Sequence, residues 1–69
     1  MSSWIFETYE KGNLFAEYCW NKGNTFEVNV GHITSKGFVN VDIFNGVYAT
    51  KESARRAFKR QVAKLEKGE

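Results

Sequence analysis

Cysteine is nearly missing from this chain. Its 69 residues hold a single one, Cys19, so no intrachain disulfide is possible. A lone thiol fits a reducing compartment. Proline is absent, and histidine and methionine occur once each. His32 and Cys19 stand thirteen positions apart and make no recognisable zinc set. None of the glycines falls in a phosphate-cradling motif that opens a helix. No apolar run approaches the ~20 residues a membrane span needs. Met1-Ser2-Ser3-Trp4 is not a basic start followed by an apolar stretch, so no secretion signal is read there. The expectation is a cytoplasmic protein with no membrane partner, no cofactor and no metal.

Aromatic residues, by contrast, are dense: six Phe, three Tyr and two Trp. A chain this short is one domain, expected to span residues 1–69. It buries only about 60% of its unfolded surface, so large rings must supply much of its core.

Thr50 to Glu69 reads as one amphipathic helix over about 51–67. Thr50 can accept a bond from a first-turn amide, and Glu52 suits the positive pole of the dipole. At 100° per residue, Ala54, Ala57, Phe58, Gln61, Val62 and Leu65 share one arc of about 140°. Arg55, Arg56, Lys59, Arg60, Lys64 and Lys67 fill the opposite arc. Gly68 is a natural stop. A helix this short needs something to pack against.

Before it come four alternating stretches, about 4–10, 13–20, 25–33 and 38–44, which read as strands. The separators Glu10-Lys11-Gly12-Asn13, Asn21-Lys22-Gly23-Asn24 and Thr34-Ser35-Lys36-Gly37 each place Gly after Lys, as a hairpin loop with a bulge requires. Asn45-Gly46 is a further turn signal that either bends the chain out of the sheet or pairs Val47-Tyr48 back briefly as a fifth strand. The fold class is therefore α+β: a four-stranded antiparallel meander with one C-terminal helix packed on one face.

Alternation predicts a core of Trp4, Phe6, Leu14, Ala16, Tyr18, Phe26, Val28, Val30, Val39, Val41, Ile43, Ala54, Phe58, Val62 and Leu65. The other sheet face mixes Glu7, Glu17, Glu27, Asn29, Asn40 and Asp42 with Ile5, Tyr9, Phe15, Phe38 and Phe44. One helix cannot cover both faces, so Tyr9, Phe15, Phe38 and Phe44 are expected to form an exposed patch of the kind that marks an interface.

Charge is uneven. Residues 1–49 carry Lys11, Lys22 and Lys36 against Glu7, Glu10, Glu17, Glu27 and Asp42, a net −2. The helix segment carries seven basic residues against three acidic, a net +4. Alternation places His32 and Cys19 on opposite faces, which forbids a Cys–His nucleophile pair. Glu17 and Glu27 can be cross-strand neighbours, but nothing suggests a pocket that would tune them as acid and base. The reading is not an enzyme.

Two binding classes follow. The first is a small non-catalytic protein-interaction domain, in character an accessory or inhibitor protein of phage or mobile-element type. Its partner is another protein or a second copy, a possible homodimer, met through the exposed sheet face. The alternative is nucleic-acid binding through the basic helix. Gly46-Val47-Tyr48-Ala49-Thr50-Lys51-Glu52-Ser53-Ala54, running on to Leu65, resembles the strand-to-helix junction of apetala-type and integrase arm-type DNA-binding domains. That resemblance implies a three-stranded sheet that reads DNA, with a helix packed behind it. Those domains present Arg and Lys on the sheet, where this chain presents Glu and Asp.

Overall fold

The computed structural model describes residues 4–21 and 23–68. Lys22, in the second expected turn, lies outside them. Four strands, β1 (Trp4–Lys11), β2 (Leu14–Trp20), β3 (Phe26–Ile33) and β4 (Val39–Tyr48), form one antiparallel sheet in the order β1-β2-β3-β4. The helix α1 (Lys51–Glu66) follows and lies chiefly across β2 and β3, leaving β1 and β4 as edges. This is the α+β meander that alternation predicts. The molecule measures 33 × 26 × 16 Å, as two layers should.

Local chemistry sets the element ends. Thr50 Oγ1 accepts from the Ser53 amide at 3.1 Å, so Thr50 is the N-cap. At the other end the Lys67 and Gly68 amides donate to Ala63 and Leu65. Lys11 Nζ, on β1, donates to the Leu65 and Glu66 carbonyls at 3.1 and 3.2 Å. A cation there adds a bond to the end carbonyls and meets the negative pole of the helix. The first hairpin has a two-residue loop, Gly12-Asn13, with Gly12 at φ +63 in the first central position. That is the type II′ arrangement, tighter than the bulged loop expected. Asn45-Gly46 is not a turn. β4 runs through it to Tyr48, so neither a bend out of the sheet nor a separate fifth strand forms.

The core lies between sheet and helix. Ala16, Tyr18, Val28 and Val30 meet Ala54, Ala57, Phe58 and Leu65. Small residues at 54 and 57 let the helix approach closely, and the Phe58 and Tyr18 rings pack with centroids 4.9 Å apart. Leu14, Phe26 and Val62 border this cluster, half-buried. Gln61, the polar residue within the stripe, is half-buried beside them.

The edges depart from simple alternation. In β1, Ile5 stands opposite Cys19 and Glu7 opposite Tyr18, so Phe6 is an extra residue in a bulge. One extra residue exchanges the faces. Phe6 stays near Tyr18 and Phe26, at 5.5 and 6.2 Å between ring centroids. Beyond it Glu7 and Tyr9, expected on the open face, turn to the helix side: the Tyr18 hydroxyl donates to Glu7 Oε2, and Tyr9 packs against the core. Trp4 and Phe6, expected in the core, are exposed.

β4 carries the opposite faces from those expected. Val39, Val41 and Ile43 are exposed, while Phe44 and Tyr48 pack on the core. Both rings fold over Gly46. A Cβ there would lie 2.9 Å from atoms of each ring. Two rings flanking a glycine fill more of the space under the helix than the aliphatic row could, and Tyr48 hands the chain directly to the helix cap on that side. Val30 pairs with Phe44 and His32 with Asn40, so β4 has two more residues than β3 in this interval. The extra length arches over Gly31, where a Cβ would overlap the Asn40 carbonyl and stand 2.8 Å from Val41 Cα. Glycine is required here because another backbone occupies the side-chain position.

Candidate functional site

Three surfaces bear on function. The first is the outer side of α1. Arg55, Arg56, Lys59, Arg60, Lys64 and Lys67 are all exposed, and the helical period brings them onto one side as expected. Two are partly offset. Arg55 Nε lies 3.8 Å from Glu7 Oε2, and Arg56 Nη2 lies 3.7 Å from Glu52 Oε2, one turn away. Both pairs are long and solvated, so they tie these side chains weakly. Lys59, Arg60, Lys64 and Lys67 have no acidic partner among the described residues. The result is a one-sign strip on a rigid element.

The second is a shallow groove at the start of the helix, lined by Glu7, Tyr18, Lys51, Glu52 and Arg55. At its base the Tyr18 hydroxyl, itself buried, donates to Glu7 Oε2 at 2.7 Å. Burial pushes the Tyr18 pKa above its ordinary value, and the hydrogen bond and charge of Glu7 add to this, opposed by Arg55. Tyr18 is therefore a protonated donor at neutral pH. Lys51 Nζ, on the groove's lining, sits 4.3 Å from the Phe6 ring centroid in a cation–π contact.

The third is the open face of the sheet with its β4 edge. The expected patch does not assemble there. Tyr9 and Phe44 are half-buried against the core, and Phe15 is 7% exposed. Phe15 faces Gly31 in the register, and the arch of β4 over that glycine covers the ring's neighbourhood. Of the four residues, Phe38 alone is fully exposed, at 68%. Alternation missed what replaces them: Val39, Val41, Ile43 and Val47, all exposed along one edge. The signal was present, since β4 is apolar at nearly every second position and Gly31 marks a close approach. Its face could not be read before the register of β4 on β3 was known.

Glu17, Asn29 and Glu27 form a polar centre on this face. Asn29 is buried, and its Nδ2 donates to Glu17 Oε2 and Glu27 Oε1 across long bonds of 3.4 and 3.3 Å. The two carboxylates are thus joined through an amide. Cys19 is buried beside them. Burial raises its thiol pKa first, and the charges of Glu17 and Glu27 raise it further. A thiol held protonated is a poor nucleophile. Cys19 pairs with Glu27 in the register, and His32 pairs with Leu14 and Asn40, so the structure does not bring the two together. Among the described residues no group of three His, Cys, Asp or Glu could hold a metal ion, and no helix is long and apolar enough to cross a membrane.

The Gly46–Thr50 segment carries β4 into α1, and the open face bears Glu10, Glu17 and Glu27 where the DNA-binding domains named above present Arg and Lys. No protein-family model, curated protein or solved structure matches the chain.

Proposed function

We propose that this chain is a small non-catalytic protein-interaction domain whose working surface is the β4 edge with the adjoining open face. The observation that carries this is the row Val39, Val41, Ile43 and Val47, exposed at 59, 40, 52 and 60% along an edge strand. Aliphatic side chains left in water beside unpaired backbone groups favour association. The non-catalytic part is supported by the protonated, buried Cys19 and its separation from His32. The test is capture from a lysate of the source cells, treated with nuclease. Wild type should retain a protein that the Val41→Lys/Val47→Lys double variant loses, with the variant's circular dichroism unchanged. Equal retention by both would sink the assignment to β4.

A second reading has its own observation: four helix cations without an acidic partner among the described residues. It makes α1 a phosphate-tracking element for nucleic acid. Binding would then weaken steeply with salt and disappear when Arg55, Arg56, Lys59 and Arg60 are changed to Glu. The absence of any mobility shift at low salt would end it.

A further inference from the structure

We propose that the chain binds single-stranded nucleic acid at the end of the sheet where the helix begins. Bases stack on a row of aromatic rings there, and the first cations of α1 hold the backbone. The inference rests on the second reading above for those cations and narrows its ligand. It does not involve the β4 edge.

Register builds the platform. Two successive rows cross the whole sheet on the helix side. Glu7, Tyr18, Val28 and Gly46 stand opposite one another across the four strands, and Trp4, Trp20, Phe26 and Tyr48 make the next row towards the sheet end. Directly opposed residues of antiparallel strands project from the same face. In the first row Tyr18 and Val28 are buried with Ala54 and Phe58. The second row lies past the cover of the helix: Trp20, Phe26 and Tyr48 are half-buried, and Trp4 is 70% exposed. Phe6, the extra residue of the bulge, adds a fifth ring, 6.2 Å from Phe26 between centroids and 37% exposed. Three strand spacings make the row about 14 Å long, room for about two or three bases. Trp20 Nε1 donates to the Gly23 carbonyl at 3.0 Å, which fixes that indole. A ring already held in place loses little freedom when a base stacks on it.

Charge says what stacks there. Lys51 Nζ lies against the Phe6 ring at the border of the row. Arg55 and Lys59 follow it at successive turns of α1. The groove that holds Lys51 and Arg55 adjoins a second depression, lined by Glu52, Arg55, Arg56 and Lys59. A track of cations therefore leads from the rings along the helix. Glu7 and Glu52 lie on the same track, each beside an arginine, and the four cations outnumber them. Cations beside a row of rings fit an anion that carries planar groups. A duplex presents its phosphates but keeps its bases stacked inside, whereas a single strand offers both.

Trp4 and Trp20 are the two tryptophans of the chain, so their emission reports on the platform directly. The test titrates the full chain into a fluorescein-labelled oligothymidylate of about 12 nucleotides, and into the same strand annealed to oligoadenylate, at low salt. Label anisotropy should show the single strand bound at least about tenfold more tightly, with tryptophan emission quenched. Affinity should fall with salt at a log–log slope of about −3, the value for roughly four phosphates. Trp4→Ala should weaken the single strand about tenfold while circular dichroism is kept. Lys51→Gln should reduce the slope by about 0.7. Ile5→Ala, next in the strand but opposite Cys19 on the open face, should change neither. Equal affinity for the duplex, or single-strand binding that both Trp4→Ala and Phe6→Ala leave unchanged, would overturn the platform and leave α1 standing as a nucleic-acid element. Binding of neither probe would overturn the platform and the α1 reading together.

Discussion

β1 and β4 are both edges of one sheet and both carry a bulge, yet they end in opposite states. In β1 the single extra residue, Phe6, exchanges the faces, and Glu7, Tyr9 and Lys11 are drawn to the helix side. Each then finds a partner there: Tyr18 and Arg55 for Glu7, the core for Tyr9, the helix end for Lys11. In β4 two residues are added, which preserves the alternation, and the excess length is taken up as an arch over Gly31. The strand keeps its aromatic residues inside and leaves its aliphatic row in water. An odd insertion recruits an edge into the fold; an even one lengthens it and leaves its outward face free.

Predictions rank by how deeply they cut into that arrangement. Phe58→Ala removes the ring that both halves of the sheet share and should cost about 3–5 kcal/mol. Urea titration of a domain this small would then find it largely unfolded. A negligible loss would place the core elsewhere. Gly31→Ala acts where β3 meets β4. Its methyl group meets the Asn40 carbonyl, so the arch must move, and overpacking of this kind costs about 1–3 kcal/mol. Amide exchange should show the loss first across β3 and β4, with the β1–β2 hairpin still protected. Uniform loss would mean that the arch is not separately stabilised.

Tyr18→Phe acts on β1, removing the bond to Glu7 for about 1 kcal/mol. It carries a pH signature as well. The Tyr18 pKa is raised in the folded state, so its contribution is fully present below the ordinary value of 10.0 and is lost as pH rises beyond it. Denaturation midpoints of wild type should therefore fall more steeply above pH 10 than those of Tyr18→Phe, and parallel curves would contradict this. The smallest effects give the sharpest contrast between the edges. Lys11→Met should cost about 0.3–1 kcal/mol through the uncapped helix end. Val47→Lys should change monomer stability by less than about 0.5 kcal/mol. Thermal melts of the two at low concentration should differ in that order.

Much of this architecture could be read from the residues. Thr50, Glu52 and the stripe from Ala54 to Leu65 announce the helix, because caps and a 3.6-residue period are properties of one segment by itself. The basic strip was legible for the same reason. The sheet faces were not. Whether Phe44 or Val41 turns inward depends on the register in which β4 meets β3, and no single strand contains that offset. Asn45-Gly46 misled as a turn because its glycine is needed for a different purpose, to let Phe44 and Tyr48 close over it. Gly31 was the available clue, a glycine inside an alternating apolar strand.

The bond from Lys11 to the Leu65 carbonyl joins residues 54 positions apart. Each hairpin of the meander closes over a few residues, whereas this contact closes almost the whole chain, at about 3.5 kcal/mol of loop entropy for that length. During synthesis all four strands emerge before the helix that covers them. Until residue 65 has been added, the inner row of Tyr18, Val28 and Phe44 is as open to water as the outer row of β4. The nascent sheet then exposes its inner apolar row together with the aliphatic row of β4, and the interval between the last strand and the docked helix is when this chain is most exposed to aggregation.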